Sequence, residues 1–105
     1  MLDRLRHQFE TASASYAAKN DLRRDADWFV LKMHEEIGEL TQVWNALSGR
    51  GRRRGLAEGQ LRQALADETA DLLGHVLLFA DRNGLDLSSA IERKWRFRPD
   101  LDGSE

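Results

Sequence analysis

The most informative part of this chain is a pair of acidic stretches, Glu35-Glu36-Ile37-Gly38-Glu39-Leu40 and, further on, Glu68-Thr69-Ala70-Asp71. Because an α-helix turns by about 100° per residue, Glu36 and Glu39 share one helix face. The same spacing places Glu68 and Asp71 on one face of a second helix. If the two helices pack together, these carboxylates converge on a small volume, where like charges repel strongly. The cation that such a cluster favours is Mg²⁺, which takes oxygen ligands and accepts phosphate as a further ligand.

The chain as a whole has the pattern of one all-α domain, residues 1–105. It is long enough for one modest hydrophobic core, its single proline is Pro99, and it lacks the alternation of β-branched residues that is typical of strands. We predict a four-helix bundle-like protomer in which Asp25 or Asp27 caps the second helix and Asp86 caps the fourth. The predicted helices span residues 2–18, 26–47, 58–83 and 87–97, a basic glycine-rich loop spans 48–57, and a frayed tail spans 99–105.

The acidic residues lie at the edges of apolar helix faces. On a helical projection, Glu68 borders the apolar stripe of the third helix, with Asp71 and His75 on the same flank, and Glu36 borders the stripe of the second helix. The stripes comprise Leu61, Leu65, Leu72, Val76 and Phe79 in the third helix and Phe29, Met33, Ile37, Leu40, Trp44 and Leu47 in the second. Charged residues at this spacing usually form a solvated helix face, and for either cluster alone that alternative is the commoner one. A purely solvated face, however, would lie opposite the apolar stripe.

The third helix is apolar over more than half of its circumference. Its further apolar residues are Leu73, Leu77, Leu78 and Ala80. A short helical chain with this much apolar surface commonly continues its core across an interface between copies. We therefore expect homo-oligomerisation, as a dimer or a tetramer, to complete the core.

Composition excludes several classes of protein. The formal net charge is −2, so no strong positive field attracts nucleic acid. The absence of cysteine excludes disulfides, thiol catalysis and thiolate zinc sites. No apolar segment approaches the length of a membrane span, and the first residues lack a signal-peptide pattern. These features predict a soluble cytoplasmic protein with neither a membrane nor a nucleic acid as its partner.

Several side chains are candidates for contacts with a phosphorylated substrate. Lys32 lies on the acidic face one turn before the glutamates, although an ion pair with Glu35 or Glu36 accounts for it equally well. The candidate substrate-binding residues are Trp28, Trp44, Asn45, His75 and Lys94. The tryptophans could stack on a base, but Trp44 also suits a core or interface position, and Phe9 and Tyr16 are expected to be packing residues. The loop arginines form either a solvated loop or one that closes over a triphosphate; they are Arg50, Arg52, Arg53 and Arg54.

These stretches resemble those of the MazG-like nucleotide pyrophosphohydrolases, an all-α superfamily marked by EExxE followed at a similar separation by ExxD. The resemblance covers residues 26–99. Beyond the acids it includes Lys32, the run from Asp67 to Val76, and the closing segments Asn83-Gly84-Leu85-Asp86-Leu87 and Ile91-Glu92-Arg93-Lys94-Trp95. The chain departs from many relatives in its last helix, where lysine and arginine stand in place of an asparagine near the site.

The resemblance implies a hydrolase that cleaves an NTP or dNTP to the monophosphate and pyrophosphate, as nucleotide-pool housekeeping. It implies Mg²⁺ as the cofactor, with Mn²⁺ as a substitute in vitro. Carried over by position, the metal ligands would be Glu36, Glu39, Glu68 and Asp71. The expected catalytic residues are Lys32, as a positive group, and Glu35, as a ligand to a second ion, an orienting residue or a general base. The base, the sugar, the number of ions and the phosphorus attacked stay open.

Two alternatives accompany this hypothesis. Phosphoribosyl-ATP pyrophosphohydrolases share the fold and have similar Lys-x-x-Glu-Glu and Asp-Leu-Leu-x-His stretches, which residues 32–36 and 71–75 resemble. A non-catalytic helical dimerisation module could retain the acids for structural reasons. The tryptophans and the Lys94-Trp95 ending favour the first family, and the presence of every expected ligand favours an enzyme.

Overall fold

A computed structural model describes residues 2–99, and this part of the chain contains four α-helices and no strand. The helices are α1 (Leu2–Lys19), α2 (Ala26–Leu47), α3 (Glu58–Arg82) and α4 (Leu87–Trp95). The predicted all-α fold is therefore confirmed, and every helix bound lies within two residues of its predicted position. Of the predicted frayed tail only Pro99 is described, and it is buried; the rest of the tail lies outside the described residues. Between residues 2 and 99, no helix is long and apolar enough to cross a bilayer.

Local capping sets the ends of the helices. Asp25 begins α2 by accepting a hydrogen bond from the backbone N–H of Trp28 at 2.9 Å, so the first of the two aspartates predicted for this cap fills it. Asp86 begins α4 by accepting a hydrogen bond from the N–H of Ser89 at 3.1 Å. Arg96 adopts a left-handed conformation, with φ at 64°, and this ends α4 two residues before its predicted bound.

The core lies between α2 and α3, which pack together in opposite directions, and α1 packs against α3. The buried apolar residues are Ala17, Phe29, Ala46, Leu61, Leu77, Leu78 and Ala80. Gly74 allows the close approach of α1, because a Cβ at this position would lie 2.6 Å from Cε1 of Phe9. This contact sets α1 beside the part of α3 that carries His75.

Arg24 joins α1 to the start of α2. Its guanidinium makes two hydrogen bonds to the Glu10 carboxylate, at 2.8 and 3.0 Å, and lies 5.3 Å from the centroid of the Phe29 ring. Arg82, at the end of α3, lies at the same distance from that ring. Phe29 in turn contacts Trp28 edge to face, with 5.0 Å between the ring centroids. The network therefore positions Trp28 relative to three helices.

The folded chain leaves part of its apolar stripes exposed. Ile37 is 52% exposed and Trp44 is 50% exposed, so the expectation that the α2 stripe faces the core does not hold for these two side chains. The reason is that α3 covers only the face of α2 that carries Phe29 and Ala46, while α4 makes sparse contacts with the other helices. The radius of gyration is accordingly 16.2 Å, against about 13 Å for a compact domain of this length.

Candidate metal centre

Three of the predicted acids meet where α2 and α3 pack together. Glu36 and Glu39 lie one turn apart on α2, and Glu68 comes from α3. One carboxylate oxygen from each side chain lies within 4.8 Å of one oxygen from each of the other two. Three hard oxygen donors at this separation surround a volume that a divalent cation can occupy.

Two of these carboxylates have buried oxygens without a hydrogen-bond partner. Glu36 is only 6% exposed, and its Oε2 is fully enclosed without a donor. Glu68 Oε2 is in the same situation. A buried acceptor that lacks a donor is costly, and a buried negative charge without a counter-charge is more so. The donor set, its burial and its missing partners therefore fit a hard cation such as Mg²⁺.

The electrostatics of the acids point the same way. Burial, followed by the nearby Glu39 carboxylate and then by Asp71, raises the pKa of Glu36 to about 7. The pKa of Glu68 is also raised, first by burial and then by Glu39. Without a cation, protons neutralise part of the cluster near neutral pH. A metal ion that binds here would displace those protons.

Asp71 and Glu35 stand outside the group of three. Asp71 lies one turn beyond Glu68 on α3, is exposed, and contributes its charge to the raised pKa of Glu36. Glu35 is exposed, and one of its oxygens lies 3.1 Å from Nζ of Lys32. Of the two accounts of Lys32 given by the sequence, the ion pair with Glu35 is present, and Lys32 also lines the neighbouring cavity.

A cavity of about 580 Å³ adjoins the acids on the side of the α2 N-terminus, and we call it the aromatic cavity. It is lined by Phe9, Ala12, Ser13, Tyr16, Leu22, Trp28, Lys32, Glu36, Asp71, Gly74, His75 and Leu78. Trp28 and His75 meet edge to face in its wall, with ring centroids 5.8 Å apart. Burial, followed by the Lys32 charge, lowers the pKa of His75, which favours the neutral imidazole.

The first helix supplies cavity residues that the sequence interpretation treated as packing. Phe9 and Tyr16 both line the aromatic cavity, and Tyr16 is 63% exposed. Their seven-residue spacing marks one face of α1 but does not reveal what that face meets. The contact of Phe9 with Gly74 shows that this face of α1 packs against α3.

A second cavity, of about 330 Å³, lies beside the loop between α2 and α3, and we call it the arginine cavity. It is lined by Gln42, Val43, Asn45, Ala46, Gly51, Arg52, Arg53, Arg54, Leu56 and Leu61. The structure therefore places Asn45 away from Trp28 and His75. Trp44 and Lys94 are exposed and line neither of the two cavities.

Comparison with known proteins found no match: no family model, no curated protein and no solved structure matches the chain.

Proposed function

We propose that this protein is a Mg²⁺-dependent nucleotide pyrophosphohydrolase that cleaves an NTP or dNTP to the monophosphate and pyrophosphate. The observation that carries the proposal is the cluster of Glu36, Glu39 and Glu68, with two buried carboxylate oxygens that lack a partner. Carboxylates this close, two of them with buried oxygens, are stabilised by a cation. A carboxylate-bound Mg²⁺ beside an open cavity is a common arrangement for phosphate chemistry. The proposal includes membership of the MazG-like superfamily, supported by the order and spacing of the acidic motifs.

The proposed roles are metal binding for the acidic residues and phosphate binding for Lys32. Glu36, Glu39 and Glu68 would hold the ion, and Asp71, one turn beyond Glu68 on α3, is the candidate fourth ligand. When bound, Mg²⁺ draws charge from the phosphate oxygens and lowers the pKa of a coordinated water. Lys32 presents its ammonium group to the substrate phosphates from the cavity wall. A water oxygen would bond to the α- or the β-phosphorus, the bond from that phosphorus to the bridging oxygen would break, and a proton of the water would pass to bulk solvent as the monophosphate and pyrophosphate separate.

The aromatic cavity accommodates the nucleoside. Its volume of about 580 Å³ falls in the range of roughly 300–1,000 Å³ that small-molecule sites span. Trp28 and Tyr16 offer ring surfaces for a base, and neutral His75 offers a hydrogen-bonding nitrogen. Such an enzyme would act on the cytoplasmic nucleotide pool.

A panel assay tests the function. The purified protein is incubated with common and modified NTPs and dNTPs and with phosphoribosyl-ATP, in Mg²⁺ or EDTA, and monophosphate and pyrophosphate are measured. We expect metal-dependent pyrophosphate release that Glu68→Gln abolishes. Asp67→Asn is the matched control, because Asp67 is exposed and bonded to Gln63, and it should keep full activity.

Each other result of the panel has a definite meaning. Turnover that survives EDTA, or that is unchanged in Glu68→Gln, contradicts the metal assignment. Hydrolysis of phosphoribosyl-ATP alone would establish the histidine-biosynthetic alternative. A folded protein that is silent on every substrate would support the non-catalytic dimerisation module.

We propose further that the protein self-associates through the uncovered apolar faces of α2 and α3. This surface includes Ile37, Trp44 and Leu73, each about half exposed. Sedimentation equilibrium is expected to show a dimer or tetramer that Trp44→Ser weakens. Leu85→Ser, in the turn before α4 and 47% exposed, is the control and should leave the mass unchanged. A monomeric wild type would contradict this part of the proposal.

A further inference from the structure

The loop between α2 and α3 is attached to the end of α2 rather than extended into solvent. The carbonyl of Asn45 accepts hydrogen bonds from the N–H groups of Arg50 and Gly51, both at 2.8 Å. Gly51 packs so closely that a Cβ there would lie 3.2 Å from Cβ of Asn45. The N–H of Leu56 then donates to the carbonyl of Arg53 at 3.0 Å, which closes a turn. These bonds hold the arginines at the mouth of the arginine cavity.

The positive charge at this cavity is poorly balanced. Within the described residues, Glu58 is the only carboxylate that forms an ion pair with the three arginines that line it, and its Oε1 lies 4.0 Å from Nη2 of Arg53. Arg52 and Arg54 have no ion pair in that part of the chain. The floor is apolar, and Gln42 and Asn45 add amide groups to the wall. Three arginines that line one cavity, two of them without an ion pair among the described residues, suit a ligand that carries phosphate.

The arginine cavity and the aromatic cavity flank the acidic centre along the α2–α3 pair. On α2, Lys32 precedes Glu36 and lines the aromatic cavity, whereas Gln42 follows Glu39 and lines the arginine cavity. On α3, Leu61 of the arginine cavity precedes Glu68 by about two turns. Along the two helices, the acidic centre therefore lies between the two cavities.

We propose that the arginine cavity binds a pyrophosphoryl group, namely the two terminal phosphates of the nucleotide, which leave as pyrophosphate. The nucleoside then lies in the aromatic cavity and the scissile bond lies over the acidic centre. This inference rests on the proposed function, which makes pyrophosphate a product. The binding itself requires neither turnover nor metal, so the two can be tested apart.

The test is calorimetric titration of inorganic pyrophosphate into the protein in EDTA at physiological ionic strength. We expect the wild type to bind, and the Arg52→Gln/Arg54→Gln variant to bind at least about tenfold more weakly, since charge-assisted hydrogen bonds are lost. The control, Arg4→Gln/Arg23→Gln, removes the same charge from exposed positions outside the cavity and should bind as the wild type does. A nucleoside monophosphate, which lacks the terminal phosphates, should bind the wild type and the loop variant equally.

Three results would overturn the assignment: no binding of pyrophosphate by the wild type, equal affinity in the loop variant, or an equal loss in the control variant. Circular dichroism verifies that each variant is folded. If nucleotides are hydrolysed while the loop variant binds pyrophosphate normally, the proposed hydrolase function is supported and the proposed pyrophosphoryl site is contradicted. If pyrophosphate binding depends on the loop arginines while no nucleotide is hydrolysed, the proposed pyrophosphoryl site is supported and the proposed hydrolase function is contradicted.

Discussion

Nε2 of His75 lies 3.6 Å from Oε1 of Glu36, while Nδ1 of the same ring is buried without a partner. The pKa of His75 is lowered by burial, and the pKa of Glu36 is raised to about 7 by burial and by Glu39. Both shifts favour the neutral forms, so the contact joins an uncharged imidazole to a carboxyl group that is partly protonated at pH 7. The pair is thus sensitive to pH and to any cation that reaches the carboxylates.

The stability of the metal-free protein should depend on the ionisation of Glu36. Its pKa is about 7 in the folded state, against 4.5 ordinarily, so its contribution is fully present below pH 4.5 and is lost as the pH rises through 7. The difference corresponds to roughly 3 kcal/mol at most. Because Gln cannot ionise, the free energy of unfolding of Glu36→Gln should rise relative to that of the wild type between pH 4.5 and 8.

Urea unfolding of both proteins in EDTA across this pH range measures the effect. His75 makes the opposite contribution, since its lowered pKa makes the folded state lose stability as the pH falls through its usual value of 6.5. The comparison cancels the part of this contribution that does not depend on the contact with Glu36. If the difference in the free energy of unfolding between the two proteins does not vary with pH, the pKa of Glu36 is not raised in the folded state.

Mg²⁺ should stabilise the folded protein at pH 8 more than at pH 5, because protons compete for the same carboxylates. A ligand present at a hundred times its Kd adds about 2.7 kcal/mol, which raises the Tm by several degrees. Thermal melts with and without Mg²⁺ measure this in the wild type and in Glu39→Gln, which should lose most of the effect. Asp67→Asn serves as the control, and an equal loss of the response in both variants would place the ion elsewhere.

Gly74→Ala should displace α1. The new Cβ would lie 2.6 Å from the Phe9 ring, and overpacking of this kind costs about 1–3 kcal/mol. Gly38→Ala is the matched control, since a Cβ there meets nothing within 4 Å and alanine gains about 0.5–1 kcal/mol over glycine inside a helix. Denaturant unfolding should therefore give opposite signs for the two variants. Adding Phe9→Leu to Gly74→Ala should recover part of the loss.

Arg24→Ala should destabilise the junction of α1 and α2. It removes the two hydrogen bonds to Glu10, whose pKa Arg24 holds below the ordinary value chiefly through these bonds. Charged hydrogen bonds of this kind contribute about 1.5–3 kcal/mol. Arg23→Ala changes an exposed neighbour and should stay within about 0.5 kcal/mol of the wild type. If chemical unfolding finds equal free energies for the two variants, the Glu10 contact contributes nothing to stability.

Local sequence signals were enough to predict the helices of this protein. The four helices and the Asp86 cap follow from interactions within a few residues, where helical periodicity and capping operate. The same local signals limited the α2 cap to Asp25 or Asp27, and the structure has Asp25. The tertiary structure alone decided which side chains meet. It brought Glu36, Glu39 and Glu68 within 4.8 Å of one another while leaving Asp71 aside.

Partners far apart in the chain depended on packing in the same way. The close approach of Phe9 to Gly74 brings α1 into the wall of the aromatic cavity. The hydrogen bonds from the loop to the Asn45 carbonyl hold the loop against α2, so that Asn45 lines the arginine cavity. Trp44 is left exposed because no described element covers its face of α2. The physical reason is that the register of α2 on α3, and the docking of α1, come from the fit of side chains at one particular contact. Helical periodicity assigns a residue to a face, and only packing assigns the face a neighbour.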